Sequence, residues 1–181
     1  MTKKSFSLKN YFKNYTKLVN QIDIKKINHF FNLVKSLKKK NKVLIFGNGA
    51  GAAIASHVAS DLTNSSKIRA LSFDNSAQIT CFANDYKFEN WIKKTLDYHY
   101  DKGDLVILLS ASGNSKNMIN AARHCMKKKI NFFSITGFNK KNKLNKESKN
   151  FYWINSKSYN YVESIQLLIL LSIVDRFGHR R

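Results

Sequence analysis

The chain of 181 residues has no proline, only two cysteines and just 11 acidic residues against 32 lysines and arginines. Each scarcity closes off a class of protein. Cys81 and Cys125 lie in apolar stretches without the spacing of metal ligands. That excludes a thiolate metal centre or a disulfide framework and predicts two buried free thiols. No apolar run follows the N-terminal lysines, so no signal peptide is expected. The longest apolar stretch, residues 165–174, is broken by Gln166 and Ser172. It falls far short of the ~20 residues of a membrane span. The expected location is the cytoplasm, with no membrane partner. No internal repeat or low-complexity linker divides the chain, and the length predicts one domain over residues 1–181.

The charge imbalance, a formal +21, points first to nucleic acid. The distribution argues otherwise. Missing proline and few arginines beside abundant Lys and Asn read as the mark of AT-rich codons. The lysine clusters at 38–40, 127–129 and 140–141 fall at expected helix ends or in loops, where cations suit the helix dipole or stay solvated. No basic–aromatic strand pattern offers a base-stacking surface. A nucleic-acid partner is therefore not expected, although the positive field would draw in an anionic substrate.

With 43% apolar residues the chain can bury an ordinary core. Helical spacing of Leu8, Phe12, Tyr15, Leu18 and Val19, and then of Ile24, Ile27, Phe30, Phe31, Val34 and Leu37, predicts two helices within residues 7–40. From residue 41 the pattern changes. Strands are expected at 43–46, 68–73, 105–109, 130–135 and 151–154. Helices are expected at 51–63, 76–83, 88–100, 115–128 and 161–176, with a polar elbow at Asn84 and Asp85. On the helix at 115–128, Met118, Ile119, Ala122 and Met126 form the inner face. Alternating strands and helices imply a three-layer αβα sandwich around a five-stranded parallel sheet. The predicted order is the flavodoxin-like 2-1-3-4-5, with residues 1–40 as a helical arm and 41–181 as the α/β core.

Two loops carry chemistry. Gly47-Asn48-Gly49-Ala50-Gly51-Ala52 joins a strand to a helix, where glycines permit a sharp turn and close approach of a ligand. Its spacing also satisfies the loose dinucleotide pattern, but Asp74 comes too late for the acidic residue such a site needs, so no nicotinamide cofactor is expected. The second loop is Ser110-Ala111-Ser112-Gly113-Asn114-Ser115. Three hydroxyls, a glycine and a helix start make a phosphate cradle; helix capping accounts for one serine, not three. In the order 2-1-3-4-5 these loops follow strands 1 and 3, which flank the topological switch point.

These landmarks, GNGAGAA at 47–53, NDY at 84–86, SASGNS at 110–115 and ITGF at 135–138, together resemble the SIS (sugar isomerase) domain family, and within it the phosphoheptose isomerase group. The resemblance covers nearly the whole chain. It implies an aldose–ketose isomerase of sedoheptulose 7-phosphate working through an enediol, and usually a homotetramer with the N-terminal helices at subunit contacts. Carried over by position, Ser110, Ser112 and Ser115, with Asn114 in the same loop, hold the phosphate. Asn48, Gly49 and Gly51 line the sugar, and Asp85 faces the pocket. The family usually has serine at Gly51 and threonine at Ala111. Its base, a glutamate four residues after a histidine, corresponds to Asp61 after His57. Either of the two can be the base. The closing helix of the family adds a glutamine and a histidine that can bind zinc with that pair; the matching positions here read as Val162 and Leu170. No zinc and no other cofactor is therefore expected.

Glu163 and Gln166 stand three residues apart on that helix. Glu163 reads as a helper in proton transfer or as a cap of the helix; Gln166 as a substrate contact or an interface hydrogen bond. His99, His124 and His179 read as surface residues. The all-round apolar character of residues 165–174 predicts burial at subunit contacts. Against the isomerase stands one alternative, a non-catalytic SIS module that senses a sugar phosphate or binds a protein.

Overall fold

Val43, Leu44, Ile45 and Phe46 are all fully buried, as a strand covered by helices on both faces must be. In the computed structural model, which describes residues 6–178, they form β1 (Val43–Phe46). With β2 (Ala70–Ser72), β3 (Leu105–Ser110), β4 (Asn131–Thr136) and β5 (Phe151–Trp153) it makes an all-parallel sheet of order β2-β1-β3-β4-β5. This is the predicted sandwich. His179 lies outside the described residues.

One face of the sheet is covered by α2 (Ile24–Lys35), α3 (Ala50–Asn64) and α8 (Tyr159–Gly178). Phe30 of α2 stacks on Phe133 of β4 with ring centroids 4.3 Å apart. The other face carries α4 (Ser76–Tyr86), α5 (Trp91–His99), α6 (Lys116–Lys128) and the short α7 (Lys143–Glu147). The first helix, α1 (Leu8–Asn20), fully buries none of its residues. It leans on α8, with Tyr11 and Tyr161 rings 4.7 Å apart and the Tyr161 hydroxyl donating to the Tyr11 carbonyl.

Several expectations need correction. Asn84 and Asp85 lie inside α4, not in an elbow; the chain breaks at Lys87, whose φ is +68°, before a 3-10 turn at Phe88–Asn90. Met126 is 49% exposed, and the inner face of α6 is instead completed by Ala121 and Cys125. Cys81 is exposed while Cys125 is buried. His124 is buried against Asp97. Most of α8 is absorbed by the chain's own core: Ile165, Ile169, Leu170, Ile173 and Val174 are buried there, leaving Leu168 exposed. A helix wedged among α1, α2 and α3 needs apolar residues nearly all round without any partner chain. Among the described residues, no helix is long and apolar enough to cross a membrane.

Candidate functional site

The turn after β1 depends on Gly47, because a Cβ there would run into the backbone of Gly51. Gly49 adopts φ +54° at the start of α3, a conformation that favours glycine. Gly51 is different: a Cβ would meet only Leu109, at 3.7 Å, an ordinary contact. Packing therefore leaves room for a side chain at 51. Asn48 does not hang free. Its amide exchanges two hydrogen bonds with Asn117 of α6, at 3.1 and 2.8 Å. That pair ties the first loop to the helix that follows the second. Asn117 was missed from sequence, although a lone amide on the buried face of α6 was its visible sign.

The second loop lies between β3 and α6. Gly113 has φ +66°, and a Cβ on it would strike the Asn142 side chain. Its carbonyl accepts from Leu144 N–H at 2.9 Å, and Asn114 Oδ1 accepts from Lys143 N–H at 3.3 Å. Asn142 in turn caps α7 by accepting from Asn145 N–H, and its own amide donates to Thr136 Oγ1. The loop is thus clamped by α7, an element absent from the sequence reading because five residues give too little periodicity. On the other side, Gly137 N–H donates to the Ala111 carbonyl at 2.8 Å.

The three serines have different commitments. Ser112 Oγ accepts from Asn114 N–H at 3.2 Å, a local turn bond. Ser110, buried, points its hydroxyl toward Ser115 Oγ at 3.4 Å. Ser115 occupies the N-cap position of α6 but its side chain caps nothing. The first N–H groups of an α-helix have no intrahelical acceptor. Here they lie beside a Ser115 hydroxyl that accepts from Ser110 and leaves them uncapped, which suits an anion better than a self-contained helix end.

His57 and Asp61 share one side of α3, with Nε2 and Oδ2 3.5 Å apart and side chains 55% and 33% exposed. Helix α8 packs beside α3, pinned where Ser66 Oγ donates to the Val174 carbonyl. Both helices follow parallel strands and run the same way. α8 begins at Tyr159, so Glu163 lies past its first turn and does not cap it. Glu163 is half-buried. Gln166 is buried, and its amide donates to the Ile135 carbonyl at 2.7 Å, so that group serves to fasten α8 to β4. Val162 and Leu170 are buried core residues. Asp85 is exposed on the last turn of α4 and accepts from Cys81 Sγ and Asn84 Nδ2; neither partner belongs to a loop.

Zinc takes four ligands, or three and a water. His57 and Asp61 supply two donors, and among the described residues no group of three or more His, Cys, Asp or Glu is placed to hold a metal. The donor set does not fit the ion. Elemental analysis should find well under one zinc per chain, and a chelator should leave activity intact; stoichiometric zinc would refute this.

A family model for the SIS domain matches residues 10–137. Among curated proteins, the chain is similar to the phosphoheptose isomerase of Aliarcobacter butzleri, 41% identical over 97 residues that cover 50% of this chain and 51% of that one. It is likewise similar to phosphoheptose isomerase 2 of Campylobacter jejuni, 34% identical over 117 residues, 61% of this chain and 58% of that one. The matched part thus spans between half and three fifths of these relatives' length. Two solved phosphoheptose isomerases share the fold. The one from Neisseria gonorrhoeae has TM-score 0.85 at 20% identity, covering 94% of this chain and 97% of that one. The one from Francisella tularensis has TM-score 0.86 at 21% identity, covering 95% and 96%.

Proposed function

The chain belongs to the SIS domain family, and on that premise we propose that it is a cytoplasmic isomerase of sugar phosphates, interconverting sedoheptulose 7-phosphate and the corresponding aldose through an enediol. The observation that carries the reading is Ser115, a helix-capping residue that caps nothing and faces Ser110 at the start of α6. The names of the curated relatives support the same class of reaction.

In this reading the phosphate rests on Ser110, Ser112, Ser115 and the first N–H groups of α6, with Asn114 closing the loop. Gly49 and Gly51 keep the first loop low enough for the sugar to approach, and Asn48 sets its position through Asn117. Asp85 bears on the pocket from α4. A base, Asp61 or His57, takes the proton from the carbon beside the carbonyl and returns it to the former carbonyl carbon. Glu163 serves the accompanying transfer between the two oxygens, so the atoms are conserved. Gln166 holds α8 in place for this. The direct test is incubation with sedoheptulose 7-phosphate, followed by NMR detection of an aldose heptose phosphate. No conversion of any heptose or hexose phosphate would reject the isomerase reading.

Replacing Ser115 by Ala removes no helix cap, so the unfolding midpoint should hardly move. A hydrogen bond to a charged group contributes about 1.5–3 kcal/mol, so the dissociation constant for the sugar phosphate should rise about tenfold or more. Calorimetric titration showing unchanged affinity would displace the phosphate from this loop.

The assembly belongs to the same proposal. Phe6, just before α1, and Leu8 and Phe12 on it are 75%, 64% and 62% exposed. Large apolar side chains on one stripe favour a covering partner. We expect a homotetramer, or at least a dimer, with α1 at the contact. Light scattering at micromolar concentration should give a multiple of the 20.9 kDa chain mass; a stable monomer is the contrary result.

A further inference from the structure

On the face of the sheet away from α3 and α8, helices α5 and α6 leave a cleft of about 500 Å3 between them. Its walls include Lys93, Asp97, Arg123, His124, Lys127 and Lys128. Four of these are cationic and one is acidic, and the acid is already engaged: the Asp97 carboxylate lies 3.0 Å from Nε2 of the buried His124. Arg123 is steered by Glu147, at 2.8 Å. Lys93, Lys127 and Lys128 form no ion pair among the described residues. The fold therefore gathers three uncompensated ammonium groups around one hollow. Burial lowers the pKa of His124, the nearby Asp97 opposes this, and Lys93 and Lys128 lower it further. The imidazole is a hydrogen-bonding group on the wall, held by Asp97.

Like charges brought together in a concave site raise the local potential and concentrate anions. The size is that of small-molecule sites, roughly 300–1,000 Å3. No Phe, Tyr or Trp lines the cleft, and the His124 ring is buried, so the walls offer no broad stacking platform for a nucleobase. We propose that this cleft is a second anion site, distinct from the serine loop, that binds a compact polyphosphate group of two or three phosphates. The two sites are separate in space. The cleft occupies the middle and C-terminal turns of α6, and Lys128 lies about 20 Å along the helix from Ser115 at 1.5 Å per residue.

The test is calorimetric titration of the full chain with inorganic tripolyphosphate at fixed ionic strength. We expect a saturable binding component that persists in Ser115→Ala and is weakened at least tenfold by the double change Lys93→Glu and Lys128→Glu. A second double variant, Lys38→Glu with Lys39→Glu, makes the same change in net charge at an exposed place far from the cleft. It should leave the affinity within about twofold, as should Ser115→Ala. Binding lost equally in both double variants would overturn the proposal, since only the overall field would then matter. So would loss with Ser115→Ala, which would assign the anion to the serine loop, or a heat signal that never saturates. Displacement of tripolyphosphate by a single-stranded oligonucleotide at lower concentration would overturn it in favour of nucleic acid.

Discussion

Asp61→Asn should lower turnover of the sugar phosphate by about 10²–10⁴-fold, the usual worth of a positioned general base, while leaving the dissociation constant nearly unchanged. The amide keeps the shape of the carboxylate and removes its basicity. In the proposed reading the phosphate is held by a loop on a different strand, so affinity should not follow. His57→Gln separates the two readings of the pair. With Asp61 as base, the histidine only orients it across 3.5 Å, and its loss should cost less. If His57→Gln proves the more damaging change, the roles exchange and Asp61 becomes the orienting group. Full activity in Asp61→Asn removes it from the chemistry altogether. Glu163→Gln should slow turnover less than either change, because it affects only the transfer between oxygens.

The largest loss of stability is expected at the other end of the strands from the two loops, where β1 and β3 begin. Asp104 is buried, and its carboxylate accepts from Lys42 N–H, Asn41 Nδ2 and Asp101 N–H as well as pairing with Lys42 Nζ at 2.7 Å. The Lys42 side chain is itself only 7% exposed. Burial alone would lower the Lys42 pKa; hydrogen bonds to Asp101 and Asp104 outweigh it and raise the value. Asp104→Ala leaves that ammonium with only Asp101, whose side chain is 73% exposed. Removing one partner of a buried pair typically costs about 3–5 kcal/mol, a large part of the ~5–15 kcal/mol that holds a domain folded. Urea unfolding should show the midpoint fall accordingly, with activity per folded molecule retained. A midpoint shift equivalent to under about 1 kcal/mol would mean that water replaces the carboxylate. Because the folded pKa of Lys42 is raised, the contribution of its ammonium is complete below its unfolded value near 10.4 and disappears as pH climbs through the folded one.

The layered fold was legible because the central strands are short, largely apolar runs set between helical patterns, and both faces of the sheet are covered. β1 matches its expected span, 43–46. The misreadings have physical causes. α4 continues through Asn84 and Asp85 because polar residues are tolerated on an exposed last turn; the break waits for Lys87, a left-handed residue that nothing in its side chain announces. Residues 165–174 looked like an interface because an apolar stretch does not say whose core it enters. The serine loop was legible as a hydroxyl-rich turn between a strand and a helix. Its clamp was not, since Asn142, Asn145 and Thr136 meet only after β4 and α7 are placed. Likewise the pairing of Asn48 with Asn117, 69 residues away in sequence, appears only once the two loops are brought together.

The unequal settings of the two cysteines have a practical consequence. Burial pushes the Cys125 thiol up to about 12, and a thiol that stays protonated and covered is a poor nucleophile. Cys81 is exposed on α4, one helical turn before Asp85 and in contact with its carboxylate. The unmodified chain therefore carries a natural handle for selective alkylation. A fluorophore attached there would sit beside Asp85 without any engineered residue, and a change in its emission on adding sugar phosphate would test the proposed place of that carboxylate at the pocket.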